Sequence, residues 1–179
     1  ISADAGNAVG LSGVSGDIYH CHQRSAELGF VGDIDHVNPA PILAMLDAGF
    51  IPVIAPDGTD GQGNPYNING DPAAGKLASA LGAEKLVLLT DIEGLCNDIK
   101  VRDVISYLNI ADVPMLKERG VIAGGMIPKV DCCVDAIREG VGSVHIIDGR
   151  KPHSILYDAF TDEGTGTTVG KERPSKGIK

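Results

Sequence analysis

The sequence predicts an α/β fold, a three-layer α/β/α sandwich with a central, mainly parallel sheet. Apolar segments of strand length, such as residues 50–56, are rich in β-branched residues and are bounded by turn residues. Segments of this kind suit strands that are covered on both faces. They alternate along the chain with segments of helical length, which is the order expected of a parallel sheet between helical layers. The composition, 43% hydrophobic and 22% charged over 179 residues, is that of a chain with a substantial core.

The first half of the chain predicts strands and helices in alternation. Four apolar or alternating segments predict strands over residues 7–13, 16–22, 30–37 and 50–56. Helices are predicted over residues 39–49, which end at a glycine, and over residues 71–81. Residues 57–66 are polar and rich in glycine, so they predict a loop or a hairpin.

The second half of the chain continues the alternation. Apolar segments predict strands that end at Thr90–Asp91 and over residues 143–149. A helix is predicted from about residue 128 to residue 140, with short helices before it and a final helix after residue 150. In parallel sheets, ligands bind at the carboxyl ends of the strands, where Asp71, Thr90–Asp91 and the Gly124–Gly125 loop are expected to lie.

Composition excludes several classes of function. The net charge of −9 argues against a nucleic-acid or anionic-membrane partner, which needs a basic surface. The apolar segments are too short to cross a bilayer, and the chain does not open on a leader sequence. The four cysteines lack metal-ligand spacing, so no metal site is predicted, and reduced thiols favour a cytoplasmic protein. The chain begins at Ile1 in a segment typical of the middle of a fold, which indicates a fragment.

The segment Asn64–Ala80 offers the first candidate site. If it is extended, Asn67, Asn69 and Asp71 lie on one face, because side chains alternate along a strand. Asp71 followed by Pro72 then predicts a helix N-cap with proline at the first helical position. A capped helix after a strand explains the same residues without any function.

The segment Gly120–Lys129 offers the second candidate. Gly124 and Gly125 let the backbone approach a ligand, and a helix N-terminus follows them. Lys129 is placed where a cation is normally disfavoured, and a bound polyphosphate would account for it. The spacing is not that of a Walker A loop. A solvated lysine at a helix start is the alternative interpretation.

Two further segments carry polar residues at turns. Asp91 follows a predicted strand, where a carboxylate can orient a lysine or a ribose hydroxyl, although it also suits an ordinary turn. Near the C-terminus, His153 and Glu163 accompany a glycine turn over residues 164–167, which could hold a cationic ligand. A helix, a turn and a closing edge strand explain this segment equally well.

Taken in order, these segments resemble the acetylglutamate kinases of the amino acid kinase family. The motifs that carry the resemblance span nearly the whole chain: "AVGLSG", "LGFVGDI", "IPVIAP", "YNINGD", "AEKLVLLTDIEGL", "VIAGGMIPKV", "HIIDGRKPHSIL" and "FTDEGTGT". The last of them looks like the arginine-inhibited branch of that family. The resemblance implies transfer of the ATP γ-phosphoryl group, with Mg²⁺ held mainly by phosphates, to the side-chain carboxylate of N-acetyl-L-glutamate in arginine biosynthesis.

The resemblance also implies roles for individual residues. Lys129 and Asp71 would be catalytic, and Asn67 and Asn69 would bind acetylglutamate. Residues implied at the nucleotide are Asp91, Ile92, Glu93, Gly94, Leu95, Val121, Ile122 and Ala123. Those implied at an arginine-inhibitor site are His153, Glu163 and Gly166.

The same resemblance implies two lobes. Residues 1–82 would be the remainder of the acetylglutamate-binding lobe, and residues 83–179 the nucleotide-binding lobe with an arginine-site-like end. A homo-oligomer and a regulatory protein partner are also implied. The family's phosphate-binding lysine, its glycine-rich loop and its substrate-binding arginine lie upstream of what matches Ile1, so the chain alone is expected not to turn over. Two alternatives remain open, a non-catalytic arginine-sensing module and another carboxylate or carbamate kinase of this fold.

Overall fold

The structure, a computed structural model, describes residues 1–4, 6–98, 103–161 and 165–172, with the backbone alone for residues 97 and 98. The chain divides into two compact units, Ile1–Leu81 and Gly82–Lys179. The first unit contains the strands β1 (Ala8–Ser12), β2 (Tyr19–Gln23), β3 (Gly32–Val37), β4 (Ile51–Ala55), β5 (Asp57–Thr59) and β6 (Pro65–Asn67) and the helices α1 (Ala40–Asp47) and α2 (Gly70–Ala80). The second contains β7 (Lys85–Thr90), β8 (Cys96–Asp98), β9 (Asp103–Val104), β10 (Tyr107–Asn109), β11 (Ser143–Asp148) and β12 (Gly166–Gly170), with α3 (Val113–Glu118), α4 (Met126–Arg138) and α5 (Ser154–Phe160).

Two sheets form the first unit. β1 pairs in parallel with β4, and a four-stranded sheet runs in the order β3-β2-β5-β6. The predicted loop or hairpin over residues 57–66 is a hairpin, since β5 and β6 pair antiparallel. Asp57 fastens it to the end of β1 by accepting hydrogen bonds from the Ser12 hydroxyl at 2.7 Å and from the Gly13 N–H at 2.7 Å.

The core of the first unit lies between its four-stranded sheet and its helices. Tyr19 is buried on β2, and its hydroxyl donates to the Ala73 carbonyl of α2 at 3.2 Å. Burial raises the pKa of Tyr19 to about 12, because the phenolate would lose its hydration there. The buried cluster comprises Ile18, Tyr19, Cys21, Val37, Ile42, Tyr66, Ile68 and Ala73.

The second unit is built on a four-stranded sheet in the order β10-β12-β11-β7. β11 lies between β7, which is parallel to it, and β12, which is antiparallel. Both faces of β11 are covered, since Val144 and Ile146 on one face and Ile147 on the other are fully buried. α4 packs on β11 and β12, and α5 packs on β11.

The α/β class is confirmed, with a more mixed strand pairing than the alternating pattern alone indicates. Parallel pairs join β1 to β4, β7 to β11 and β10 to β12, and hairpins such as β2–β3 add antiparallel pairs. Helix α4 begins at Met126, two residues before the predicted start at 128, so Pro128 is its third residue and lies in the first turn, where the missing N–H breaks no helical hydrogen bond. None of the described helices is both long and apolar enough to cross a membrane.

His20 and His22 flank Cys21 on β2, where His20 is half-buried and His22 is exposed. His20 contacts Asp17 at 2.5 Å and His22 contacts Asp35 at 2.7 Å, so each imidazole has its own carboxylate partner. Among the described residues, no group of three or more His, Cys, Asp or Glu side chains is arranged to hold a metal ion. The four cysteines all lie in described segments and form no disulfide with one another.

Candidate functional site

A cavity of about 410 Å³ opens in the second unit at the carboxyl end of β7. Three chain segments form its walls: the loop after β7, the loop between α3 and α4, and the residues that follow β11. The lining residues are Asp91, Ile92, Glu93, Gly94, Leu95, Cys96, Gly120, Val121, Ala123, Met126 and Arg150. The position agrees with the rule that ligands of parallel sheets bind beyond the carboxyl ends of strands.

The loop after β7 is held in place from both ends. At its start, the Thr90 hydroxyl accepts a hydrogen bond from the Ile92 N–H at 3.2 Å. At its end, the Leu95 N–H donates to the Thr167 hydroxyl at 2.8 Å in a buried contact. Gly94 has φ 144°, and a Cβ there would lie 2.9 Å from the Thr167 hydroxyl, so this position requires glycine. The backbone of this wall is therefore fixed against β12.

The loop between α3 and α4 forms the second wall. The N–H groups of Val121 and Ile122 both donate to the Leu116 carbonyl, at 3.0 and 3.2 Å. Ile122 is buried and does not line the cavity, whereas Val121 and Ala123 line it. Gly124 and Gly125 follow helix α3 in the chain, and the residues just before them, Val121 and Ala123, line the cavity at the carboxyl end of β7. The loop thus lies beside a strand end although it follows a helix in the chain. It reaches the cavity from the helical layer.

Arg150, which follows β11 and is held by Asp148, forms the third wall. Asp148 is only 2% exposed, and it accepts hydrogen bonds from Arg150 Nε at 2.8 Å, Arg150 Nη2 at 2.9 Å and the Arg150 N–H at 3.0 Å. The hydrogen bonds from Arg150 lower the pKa of Asp148 to about 2, because they stabilise the carboxylate. Lys151 pairs with Glu93 at 3.6 Å and so joins this wall to the loop after β7.

The structure brings together most of the residues predicted at a nucleotide. All of those predicted over residues 91–95 line the cavity, as do Val121 and Ala123, and Ile122 does not. Sequence reasoning missed Cys96, Gly120, Met126 and Arg150 as lining residues. The sequence shows only an arginine two residues after an aspartate at the end of a predicted strand, in "DGR", and the burial of that aspartate appears only in the structure.

Asn67, Asn69 and Asp71 do not share a strand face, because β6 ends at Asn67. Asn69, and not Asp71, is the N-cap of α2, and its side-chain oxygen accepts a hydrogen bond from the Asp71 N–H at 3.0 Å. Asp71 is the second residue of the helix and Pro72 the third. Asp71 therefore lies in the first turn, where a carboxylate interacts favourably with the positive end of the helix dipole.

Lys129 is the fourth residue of α4 and is half-buried. It does not line the cavity, although Met126, three residues earlier, does. Lys117 of α3 forms an ion pair with Asp131, two residues after Lys129 on α4. The N-terminal part of α4 is thus fastened to the helix that precedes the second wall.

Two of the three residues predicted at an arginine site lie near one another in the chain's C-terminal region. His153 has φ 60° and directly precedes α5, and Gly166 begins β12 with φ 152°. Their neighbours are joined, since the Thr165 hydroxyl donates to the Ser154 carbonyl at 3.3 Å. Glu163 lies outside the described residues.

Comparison with known proteins identifies the family to which this fold belongs. The sequence profile of the amino acid kinase family matches residues 1–148. The chain belongs to the amino acid kinase family. This amino acid kinase is 51% identical over 179 residues to the acetylglutamate kinase of Heliobacterium modesticaldum, covering 93% of the chain and 61% of that relative. It is 48% identical over 184 residues to the acetylglutamate kinase of Pelotomaculum thermopropionicum, covering 96% of the chain and 62% of that relative.

A solved structure supports the same family. N-acetylglutamate synthase from Neisseria gonorrhoeae, complexed with coenzyme A and L-arginine, superposes with a TM-score of 0.80 and 27% identity, over 93% of this chain and 38% of that one. The amino acid kinase described here thus spans about 61% of the length of the first curated relative it matches.

Proposed function

We propose that this amino acid kinase is the greater part of an acetylglutamate kinase, which uses ATP to phosphorylate the side-chain carboxylate of N-acetyl-L-glutamate in arginine biosynthesis. The observation that carries the proposal is its identity of 51% with an acetylglutamate kinase over nearly the whole of its length. The cavity beside β7 adds to it, since the lining includes seven of the eight residues that the family resemblance implies at a nucleotide.

Each unit is given one substrate in this proposal. Residues 1–82 contribute to the acetylglutamate site through Asn67 and Asn69, whose exposed side chains present amide groups at the start of α2. Residues 83–179 hold the nucleotide in the cavity. The carboxylates of Asp91 and Glu93 are suited to ribose hydroxyls, because ionised carboxylates accept hydrogen bonds and donate none.

The chemistry assigned to the chain is alignment of the reactants and neutralisation of charge. When bound, ATP supplies the phosphoryl group, and Mg²⁺ held mainly by its phosphates shields the charge. Lys129 stabilises the negative charge that develops on the migrating phosphoryl group, and the N-terminus of α4 adds its dipole in the same sense. Asp71 orients cationic groups around that position. Neither residue needs to form a covalent bond.

A fusion protein tests the assignment. The N-terminal segment of a curated relative, fused ahead of Ile1, should give turnover of acetylglutamate in a coupled ADP-release assay, whereas the 179-residue chain alone should not. In the fusion, Asp71→Asn and Lys129→Met should each lower kcat by roughly 10² to 10³, the usual loss when one charge-stabilising group is removed.

Matched controls separate chemistry from folding in this test. Asp47→Asn at the exposed end of α1 and Arg138→Met in the last turn of α4 remove similar charges elsewhere, and both should keep kcat. Full activity of the Asp71 and Lys129 variants, or a fusion that does not phosphorylate acetylglutamate, would contradict the proposal. Turnover by the 179-residue chain alone would contradict only the expected need for an upstream segment.

L-arginine is proposed as an inhibitor that binds near the start of α5, where Ser154 and Thr165, the neighbours of His153 and Gly166, are joined by a hydrogen bond. The likeness to a synthase complexed with L-arginine supports this part of the proposal. Self-association and a regulatory protein partner are proposed on the family resemblance alone. The absence of disulfides among the four cysteines favours a cytoplasmic location.

A further inference from the structure

Arg150 is the part of the cavity wall that the family resemblance leaves without a role. The Arg150 side chain is 61% exposed, yet its guanidinium is held by two hydrogen bonds to the buried carboxylate of Asp148. Exposed arginines usually sample many rotamers, and fixing one costs conformational entropy. The hydrogen bonds to Asp148 offset that entropy cost when the chain folds, so the Arg150 side chain is oriented before a ligand binds.

Arg150 lines the cavity while its guanidinium is held by Asp148. Nε and Nη2 are used on Asp148, and Nη1 forms no hydrogen bond with any residue in the described part of the chain. Asp148 also balances the positive charge, so the pair offers the cavity a planar, weakly hydrated group and little net charge.

The remaining lining favours a base over a phosphate. Asp91 and Glu93 are carboxylates in the wall that follows β7. Lys151 pairs with Glu93, whereas Asp91 would repel a polyphosphate placed beside it. Other lining side chains are apolar, namely Ile92, Leu95, Val121, Ala123 and Met126. An apolar cavity with a few carboxylates and a planar guanidinium suits an aromatic ring that carries hydrogen-bond donors.

We propose that Arg150, held by Asp148, is the platform on which the nucleobase of the bound nucleotide stacks. Arginine guanidinium planes stack on bases and aromatic rings, and lysine cannot reproduce the flat contact. The inference rests on the proposed function, because it assumes that the cavity binds a nucleotide. It adds a residue that positions the base and leaves the phosphates to other groups.

Calorimetry with ADP and with adenosine tests the inference on the 179-residue chain. Arg150→Met should weaken both ligands by about tenfold, so that the ratio of their affinities stays constant. Arg150→Lys should recover only part of the loss, since it restores the charge without the plane. Arg138→Met on α4 is the matched control and should bind both ligands like the unaltered chain.

A double variant guards against misfolding. Arg150→Met leaves Asp148 buried without its partner, so Arg150→Met with Asp148→Asn removes the buried charge as well and should show the same tenfold loss. Circular dichroism confirms that each variant is folded.

Three results would overturn the inference. A loss confined to ADP would mean that Arg150 acts on phosphate, and full recovery by Arg150→Lys would mean that charge and not stacking is used. Unchanged binding of both ligands by the Arg150 variants would mean that the residue only braces the wall. If the unaltered chain binds neither ligand, the proposed nucleotide site itself fails, and this result is distinct from the other three.

Discussion

At the scale of single residues, the start of α2 shows how a correct motif can be assigned to the wrong side chain. The sequence offers two residues that commonly cap helices, Asn69 and Asp71, and the proline after Asp71 favoured the second. Asn69 is the cap because its backbone is extended, with φ −64° and ψ 132°, and its side chain reaches the Asp71 N–H. Proline at the third helical position has no N–H to leave unpaired, so it costs little there.

Asp60 provides a residue whose effect on stability should depend on pH. It accepts hydrogen bonds from the Asn64 side chain at 2.8 Å and from the N–H groups of Asn64 and Gln62, each at 2.9 Å. These contacts, with the Asn64 side chain contributing most, lower its pKa to about 2, below the ordinary value for aspartate of about 3.9. The stabilisation is therefore complete above about pH 4 and is lost as the pH falls toward 2.

Urea unfolding of the chain and of Asp60→Asn between pH 7 and pH 3 measures this effect. The difference in unfolding free energy should be constant from pH 7 to pH 5 and should shrink below pH 4. Asp47→Asn controls for the loss of one negative charge. A difference that stays constant down to pH 3 would show that the loop does not stabilise the carboxylate.

At the scale of elements, the long apolar strands could be predicted and the short ones could not. β4, β7 and β11 carry β-branched residues in unbroken segments, and that pattern has few alternatives. β9 and β10 hold two and three residues, too few to show a period, and they exist because they pair with β8 and β12. Their strand character comes from tertiary contacts, which a single sequence does not display.

Gly166 is the element-scale position with the clearest backbone requirement. A Cβ there would lie 2.1 Å from the Ile146 carbonyl oxygen, and φ is 152°. Gly166→Ala should therefore disturb the pairing of β11 with β12 and lower the unfolding free energy by roughly 2 to 4 kcal/mol. Urea unfolding gives the value.

Gly10 in β1 is the control for that substitution, because a Cβ there meets nothing within 4 Å. Gly10→Ala should leave the unfolding free energy within about 0.5 kcal/mol of the original. Equal effects of the two substitutions would contradict the close approach of β12 to β11.

The candidate site could be predicted where it follows a strand and not where it depends on a side-chain pair. Asp91 and the residues after it were found because β7 ends there, and ligands of parallel sheets bind at strand ends. Arg150 was missed because its importance comes from the hydrogen bonds to Asp148. Burial of that carboxylate becomes visible only once β11 is covered on both faces.

At the scale of the whole molecule, ligand binding separates the kinase from the sensor alternative. Calorimetry of the 179-residue chain should detect both Mg-ADP and L-arginine, because residues predicted for both sites lie within Gly82–Lys179. Arg138→Met, which removes a charge paired with the exposed Asp135, serves as a control for surface charge. Arginine binding without nucleotide binding would favour a non-catalytic arginine-sensing module.

The parallel pair of β1 and β4 affects how the protein can be handled. In the described part of the first unit, β1 and β4 form a two-stranded sheet, so each strand has one edge that is not paired with another strand. Ile51 and Val53 of β4 are 46% and 49% exposed. Apolar edges of this kind recruit strands from other molecules. Concentrated samples of the 179-residue chain are therefore expected to aggregate by strand pairing at β4 while both units remain folded. Val53→Lys should slow this aggregation, as measured by light scattering.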